Sequence, residues 1–157
     1  MALEVGILAP LFVAVNQDGD TIRLEDLRGK WVVLYFYPKD DTPGCTMEAK
    51  GFEQLREEFE REDAVILGVS RDDEKSHKEF CTKYGLNFHL LADKDGKIIE
   101  AYKAKGFPFT KRMTYLIDPE GKIAFVWKNV NPSKHAKEVL EKLRELKYGG
   151  NKKQGKS

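Results

Sequence analysis

The sequence predicts an α/β fold in which helices flank a mixed central sheet. Two runs, Trp31–Phe36 and Ala64–Val69, are continuously apolar and rich in β-branched and aromatic residues, as expected of strands buried on both faces. A helical pattern separates them, so the three segments form a βαβ unit with parallel strands. Two further apolar runs flank the turn Pro119-Glu120-Gly121 and predict an antiparallel hairpin, which makes the sheet mixed.

Length and charge limit the class of protein. The 157 residues suit one domain, which we place over residues 1–148. With 27 Lys plus Arg against 26 Asp plus Glu, the formal net charge is +1, so the sequence indicates no nucleic-acid or membrane partner. The longest charge-free run covers residues 5–17, short of the ~18 residues that span a bilayer, and it lacks signal-peptide features. We therefore expect a cytoplasmic protein whose partner is small and roughly neutral.

The first elements are a hairpin and a long helix. The Asp18-Gly19 pair supplies the turn of an N-terminal β-hairpin over residues 11–27, an extension that we expect to act as a lid at most. After the first central strand, apolar residues recur at three- and four-residue steps and predict one helix from about residue 45 to 61. These apolar residues are Ala49, Phe52, Leu55 and Phe59.

The second half of the chain supplies the remaining helices and the hairpin. The polar, basic and Gly-rich segment 149–157 is predicted to be a disordered tail. The order of elements resembles the thioredoxin-like plan, a fold that supports many chemistries, so the function has to be argued from a site. The predicted elements are a helix starting at Asp72 or Asp73 and stopping at Gly85, a short helix over 96–103, strands Met113–Asp118 and Lys122–Trp127, and a closing helix Pro132–Tyr148.

The clearest candidate site is the loop between the first central strand and the long helix. In open α/β sheets, ligands bind at such strand ends. Cys45 falls in the first helical turn, where unpaired N–H groups and the helix dipole favour a thiolate. Thr42 precedes Cys45 by three residues, the spacing of a C-x-x-C motif, but its hydroxyl can only hydrogen-bond and cannot form a disulfide. The sequence thus favours a reactive Cys45 over a cysteine that merely fills the core.

The motif around this cysteine resembles a known signature. Pro38-Lys-Asp-Asp-Thr42-Pro-Gly-Cys45 is similar to the peroxiredoxin pattern of Pro, three residues, Thr, two residues and Cys. The continuation through Thr46-Met-Glu-Ala49 resembles the peroxiredoxin Q branch, also called bacterioferritin comigratory protein. The likeness extends from about Gly6 to Leu146 and agrees with the thioredoxin-like element order.

The resemblance implies a thiol-dependent peroxidase that needs neither a cofactor nor a metal. Cys45 would attack a hydroperoxide, become a sulfenic acid, and be re-reduced by a thioredoxin-like or other protein disulfide reductase. Thr42 would donate to the thiolate or to a bound oxygen, Pro38 would shape and dry the pocket, and Arg112 would hold the thiolate and orient the peroxide. Glu48 would orient Arg112. From the residues alone, Arg112 could be a solvated strand-end cation and Glu48 a helix-surface carboxylate.

The second thiol, Cys81, has two possible roles. Many members of the resembled branch carry a resolving cysteine five residues after the peroxidatic one, and that position is Lys50 here. Since some members carry it on the helix after the second central strand, the resemblance implies a Cys45–Cys81 disulfide. Both helices would then have to unravel, because bonded cysteines need Cα atoms within about 4.4–6.8 Å. The alternative is a one-cysteine peroxidase in which Cys81 is structural.

Other functions fit the sequence less well. His77 and Cys81 have the i, i+4 spacing of two metal ligands, with His89 or His135 as distant complements, but an exposed His77 on a charged helix is favoured over a metal site. A disulfide reductase would need a C-x-x-C pair. A chaperone or redox sensor would need an apolar face or an assembly interface, and the sequence reveals neither. The resembled branch favours a monomer.

Overall fold

A seven-stranded mixed sheet forms the centre of the molecule, with strand order β2-β1-β5-β4-β3-β6-β7. The computed structural model describes the backbone of residues 1–155 and the side chains of residues 1–149. Within this range, the strands are β1 (Val13–Val15), β2 (Thr21–Arg23), β3 (Trp31–Phe36), β4 (Ala64–Ser70), β5 (His89–Ala92), β6 (Met113–Ile117) and β7 (Ile123–Trp127). The helices are α1 (Pro43–Gln54), α2 (Arg56–Arg61), α3 (Glu74–Tyr84), α4 (Lys97–Ala101) and α5 (His135–Gly155), with a short 3-10 helix at Leu24–Leu27.

Strand β3 lies inside the sheet, next to the central strand β4, as its continuously apolar sequence predicts. It pairs in parallel with β4 and antiparallel with β6, and all its residues except Trp31 are buried. The predicted βαβ unit and the hairpin of β6 and β7 are therefore confirmed. The antiparallel pairing of β3 with β6 places the carboxyl end of β3 beside the amino end of β6, where Phe36 is opposite Met113.

The N-terminal hairpin extends the sheet, so the expectation that it acts as a lid at most is wrong. Strands β1 and β2 pair antiparallel, as predicted, but β1 also contacts β5 through Val15 and Ala92. Strand β5 was not among the predicted elements, because four residues are too few to establish a hydrophobic period. Its pairing with β4 and with β1 identifies it as a strand.

The predicted helix over residues 45–61 is two helices that meet at Leu55. This residue has φ −102° and ψ 7°, outside ideal helix geometry, and neither Gly nor Pro marks the break in the sequence. Each part packs on its own partner, α1 on α5 and α2 on β4. The change of direction therefore follows from tertiary packing, which local periodicity does not encode.

The last helix is displaced relative to its prediction. It starts at His135 because Asn131 accepts hydrogen bonds from the backbone and hydroxyl of Ser133, which makes residues 131–134 a turn. It passes Tyr148 and continues to Gly155, although glycines cost about 1 kcal/mol each in a helix. The backbone of residues 149–155 is thus described as helical, residues 156–157 lie outside the described part, and the disorder of the tail stays a prediction.

The sheet carries an apolar core on each face. One core lies between the sheet and helices α1, α3 and α5, and it contains both Cys45 and Cys81. The other includes residues of β1 and α4. Within the first, Tyr35 stacks on Phe52 with ring centroids 4.7 Å apart. Across the described residues, no helix is long and apolar enough to cross a membrane.

Gly68 in β4 and Gly51 in α1 test how much space the packing leaves for an added methyl group. A Cβ on Gly68 would lie 2.8 Å from Leu90 Cδ2 and 2.9 Å from the Tyr35 ring, whereas one on Gly51 would meet Ala136 Cβ at an ordinary 3.4 Å. Gly68→Ala should lower the free energy of unfolding by about 1–3 kcal/mol through overpacking. Gly51→Ala should leave it unchanged or raise it by about 0.5–1 kcal/mol, because alanine favours helix. Urea denaturation measures both, and equal loss in the two variants would contradict this account.

Candidate active site

The loop after β3 brings Cys45 to the start of a helix and beneath the surface. Cys45 is the third residue of α1, which begins at Pro43, and only 1% of it is exposed. Thr42 precedes the helix in an extended conformation, and its hydroxyl donates to the carbonyl oxygen of Lys39 at 2.9 Å. The Thr42 proton is therefore directed away from the thiol in this structure, unlike the donation that the sequence predicted. Pro38 is partly buried and lies two residues after the end of β3.

Arg112 joins the thiol to a buried carboxylate. It lies one residue before β6, and its Nη1 is 3.5 Å from Cys45 Sγ and 2.9 Å from Glu48 Oε1. Gly44 leaves room for this guanidinium, since a Cβ there would lie 3.1 Å from Arg112 Nη2. A guanidinium is permanently charged and donates in several directions, so one side chain can hold both groups at once. Arg112 is thus largely engaged in the site, with 20% of its side chain exposed.

Glu48 lies inside the protein, so it is not the helix-surface carboxylate that the residue pattern alone allowed. Its side chain is fully buried. Burial raises the pKa of Glu48 to about 7, although the charge of Arg112 and its hydrogen bond act in the opposite direction. The second oxygen, Oε2, has no hydrogen-bond partner among the described residues, and His135 Nε2 lies 3.9 Å away.

Two residues behind Glu48 were missed as parts of this site. His135 was considered only as a distant metal ligand, and its Nε2 instead forms a 2.7 Å hydrogen bond with Thr114 Oγ1. The imidazole sits against the rings of Phe52 and Trp127, and burial, followed by the charge of Arg112, lowers its pKa to about 4. His135 is therefore a neutral group at pH 7. Thr114 follows Arg112 by two residues, a strand spacing that could have indicated a shared face.

Cys81 lies in the same apolar core but in a different electrostatic setting. It is on α3 and 6% exposed. Burial, with the charges of Asp40 and Asp18, raises the pKa of its thiol to about 12. Both cysteines are free thiols. Lys50, at the position of the usual resolving cysteine, is exposed on α1 and its Nζ lies 5.7 Å from the centroid of the Tyr84 ring on α3.

His77 is buried, which corrects the expectation of an exposed histidine on a charged helix. Its Nδ1 is 2.7 Å from Asp40 Oδ2 and its Nε2 is 3.0 Å from the carbonyl oxygen of Leu91. The sequence could not predict this because the charged residues on α3 obscure its buried face. Both ring nitrogens are hydrogen-bonded and hence not directed at a metal with Cys81. In the described part of the chain, no group of three or more His, Cys, Asp or Glu side chains could hold a metal ion.

A helix-start cysteine beside an arginine, on a thioredoxin-like sheet, defines an enzyme that acts through a thiol. The family model described as the AhpC/TSA family matches residues 5–126. The putative peroxiredoxin bcp of Coxiella burnetii is 44% identical, with 91% of this chain and 100% of the relative covered. Peroxiredoxin Bcp of Bacillus subtilis is 40% identical, with 93% and 98% covered.

A solved structure gives the same result. The bacterioferritin comigratory protein of Xanthomonas campestris, studied for its alkyl peroxide reduction activity, has a TM-score of 0.82 and 37% identity, with 86% of this chain and 91% of that chain covered. The chain therefore belongs to the AhpC/TSA family, in its peroxiredoxin Q or Bcp branch. Its members are peroxidases of the oxidoreductase class, with a hydroperoxide substrate and a thiol reductant.

The raised pKa of Glu48 predicts a pH-dependent stability. A carboxyl that binds its proton more tightly in the folded state stabilises fully below the unfolded pKa of about 4.3, and this contribution is lost as the pH rises through about 7. Glu48→Gln removes the effect. Relative to wild type, its free energy of unfolding should rise by about 2–3 kcal/mol between pH 5 and pH 8. Urea denaturation at both pH values measures the change. Because His135 is present in both proteins, its own titration cancels, and the absence of any change between the two pH values would show that Glu48 is ionised throughout.

Proposed function

We propose that the protein reduces hydrogen peroxide and organic hydroperoxides through Cys45, that Cys81 resolves the resulting sulfenic acid as a disulfide, and that a thioredoxin-like protein reduces this disulfide. The observation that carries the proposal is the position of Arg112, which contacts both Cys45 Sγ and Glu48 Oε1. We also propose that the protein acts as a monomer in the cytoplasm. These last two points rest on the branch resemblance and on the sequence.

In the first step, the Cys45 thiolate attacks the terminal oxygen of the hydroperoxide. An S–O bond forms and the O–O bond breaks, so the sulfur becomes a sulfenic acid while the departing oxygen takes a proton and leaves as water or alcohol. Ionisation alone gives limited acceleration, because a free cysteine with a pKa of about 8.5 is already about 3% thiolate at pH 7. The remaining acceleration has to come from groups that stabilise the charge moving onto the departing oxygen.

Arg112 and Thr42 are the groups assigned to that task. The guanidinium of Arg112 lies against the sulfur, so it can donate to a peroxide placed there and stabilise the departing oxygen. The Thr42 hydroxyl already donates to Lys39, which leaves its oxygen free to accept the O–H of the peroxide. Glu48 acts through Arg112 by holding Nη1 in place, and Pro38 limits water at the mouth of the site.

In the second step, Cys81 attacks the sulfenic sulfur of Cys45. An S–S bond forms and the S–O bond breaks, and the oxygen leaves with a proton as water. Cys81 is poorly ionised where it lies, since its pKa is about 12, so α1 and α3 have to open before the sulfurs react. A dithiol donor then supplies two electrons and two protons, which returns both cysteines to thiols.

Cysteine variants separate the two steps. Cys45→Ser should abolish peroxide consumption because it lacks the nucleophile. Cys81→Ser should consume one equivalent of peroxide at the wild-type rate, retain Cys45 as a sulfenic acid, and lose turnover with a thioredoxin-like donor. Mass spectrometry after non-reducing digestion should find a linked Cys45–Cys81 peptide in the treated wild type alone. Full turnover by Cys81→Ser would instead favour the one-cysteine peroxidase, and activity in Cys45→Ser would refute the mechanism.

Two substitutions measure how much the guanidinium of Arg112 contributes to the rate of Cys45 oxidation. Arg112→Lys keeps the charge but not the rigid planar guanidinium whose Nη1 contacts both groups, and it should lower the second-order rate constant for Cys45 oxidation about 10²-fold. Gly44→Ala should shift the guanidinium by a few tenths of an ångström and lower the constant about three- to tenfold. Stopped-flow competition kinetics measure both. Wild-type rates in Arg112→Lys would remove the arginine from the mechanism.

A further inference from the structure

The loop before Cys45 is fastened to α3, the helix of Cys81, at two separate points. Adjacent aspartates of this loop, Asp40 and Asp41, make the two sets of contacts. One set is buried and the other is exposed. We call the two sets together the aspartate latch.

The buried set surrounds the Asp40 carboxylate. It accepts hydrogen bonds from Tyr37 Oη at 2.6 Å and from Ser76 Oγ at 2.8 Å, and it lies 2.7 Å from His77 Nδ1. The carbonyl oxygen of Leu91 can only accept, so His77 Nε2 carries a hydrogen. The pairing of His77 with Asp40 joins the loop to the first half of α3.

The exposed set surrounds the Asp41 carboxylate. Lys83 Nζ donates to it at 2.8 Å and Tyr84 Oη at 2.7 Å. Asp41 has φ 60°, a conformation that aspartate and asparagine tolerate better than most residues. Lys50 of α1 lies over the same Tyr84 ring. The loop, α1 and the end of α3 therefore meet at Tyr84.

The latch brackets Cys81 along α3. His77 is four residues before Cys81 and Tyr84 three residues after it, about one helical turn on each side. Both Cys81 and Cys45 are buried while the two sets of contacts are in place. Any opening of α3 that exposes Cys81 has to release the loop that leads to Cys45, and the exposed set involves no buried charge and is the easier one to release.

We propose that Asp41, through Lys83 and Tyr84, is a positioning residue that sets the rate at which Cys81 resolves the sulfenic acid. The inference rests on the proposed function, since it requires the Cys45–Cys81 disulfide. While the contacts of the aspartate latch are in place, Cys81 does not react with the sulfenic acid of Cys45, which therefore persists. A second hydroperoxide can then transfer an oxygen to it, giving a sulfinic acid and water or alcohol. The latch therefore sets the ratio of disulfide to sulfinic acid formed at a given peroxide concentration.

The chain offers close variants and a matched control. Asp41→Asn keeps the left-handed backbone and removes the charge, and Tyr84→Phe keeps the ring but removes the donor. Lys94→Gln is the control, because Lys94 binds Glu74 of α3 at 3.2 Å and the exposure of this pair resembles that of Lys83 and Asp41. Lys94 lies after β5 and not in the loop before Cys45.

The experiment separates the two chemical steps. Reduced wild type and each variant are mixed with hydrogen peroxide and quenched with a thiol-alkylating reagent at successive times. Mass spectrometry then measures the mass of the intact protein. The masses give the second-order rate constant for Cys45 oxidation, the first-order rate constant for disulfide formation, and the sulfinic fraction at high peroxide. Ser76→Ala, which removes one donor from the buried set, is included as a graded variant.

We expect Asp41→Asn and Tyr84→Phe to form the disulfide about two- to fivefold faster than wild type and to lower the ratio of sulfinic acid to disulfide by the same factor. Their rates of Cys45 oxidation and that of Lys94→Gln should equal the wild-type rate, and Lys94→Gln should leave disulfide formation unchanged. The double variant of Asp41 and Tyr84 should gain less than the product of the two effects, because they share one interaction.

Three results would overturn the inference. Disulfide formation at the wild-type rate in Asp41→Asn would show that the latch does not limit resolution. Equal acceleration in Lys94→Gln would show that only the general stability of α3 matters. Absence of any disulfide in wild type, with Cys45 still oxidised, would remove the resolving role of Cys81 and the latch with it. Failure of Cys45 to oxidise would instead refute the proposed function itself.

Discussion

A charged guanidinium held between a buried thiol and a buried carboxylate is the contact on which the site depends. Burying a charge is unfavourable unless it is paired. The position of Arg112 is therefore constrained by Glu48 as well as by Cys45. The sheet makes this pairing possible. Because β3 and β6 are adjacent and antiparallel, Phe36 at the end of one is opposite Met113 at the start of the other. The loop before Cys45 and Arg112 therefore emerge at the same edge.

The two cysteines show how position decides the behaviour of one residue type. Both are buried in the same apolar core. Cys45 lies at a helix start, and the guanidinium of Arg112 contacts its sulfur. Cys81 lies towards the end of α3 with carboxylates nearby, and burial followed by those charges raises its pKa. The different surroundings agree with the proposed roles, in which Cys45 makes the first attack and Cys81 has to move before it reacts.

The packing that holds the site together opposes the proposed disulfide. Arg112 contacts Cys45 and Glu48 while α1 and its loop are in place, whereas the proposed Cys45–Cys81 disulfide would need the loop and α3 to separate. The contacts of Asp40 and Asp41 join that loop to α3. In the proposed mechanism, tighter binding of Lys83 and Tyr84 by Asp41 would therefore stabilise the folded site and delay resolution.

The sequence by itself determined the fold class, the βαβ unit, the two hairpins and the position of Cys45 at a helix start, because these depend on local periodicity, turns and one spaced motif. The resemblance also predicted that Glu48 pairs with Arg112. The tertiary structure alone decided the pairing of β5, the break at Leu55, and the burial of His77. It also decided the partners of Asp40, Asp41 and His135. Each of these depends on which surfaces meet across long stretches of chain, and the same local pattern is compatible with several such partners.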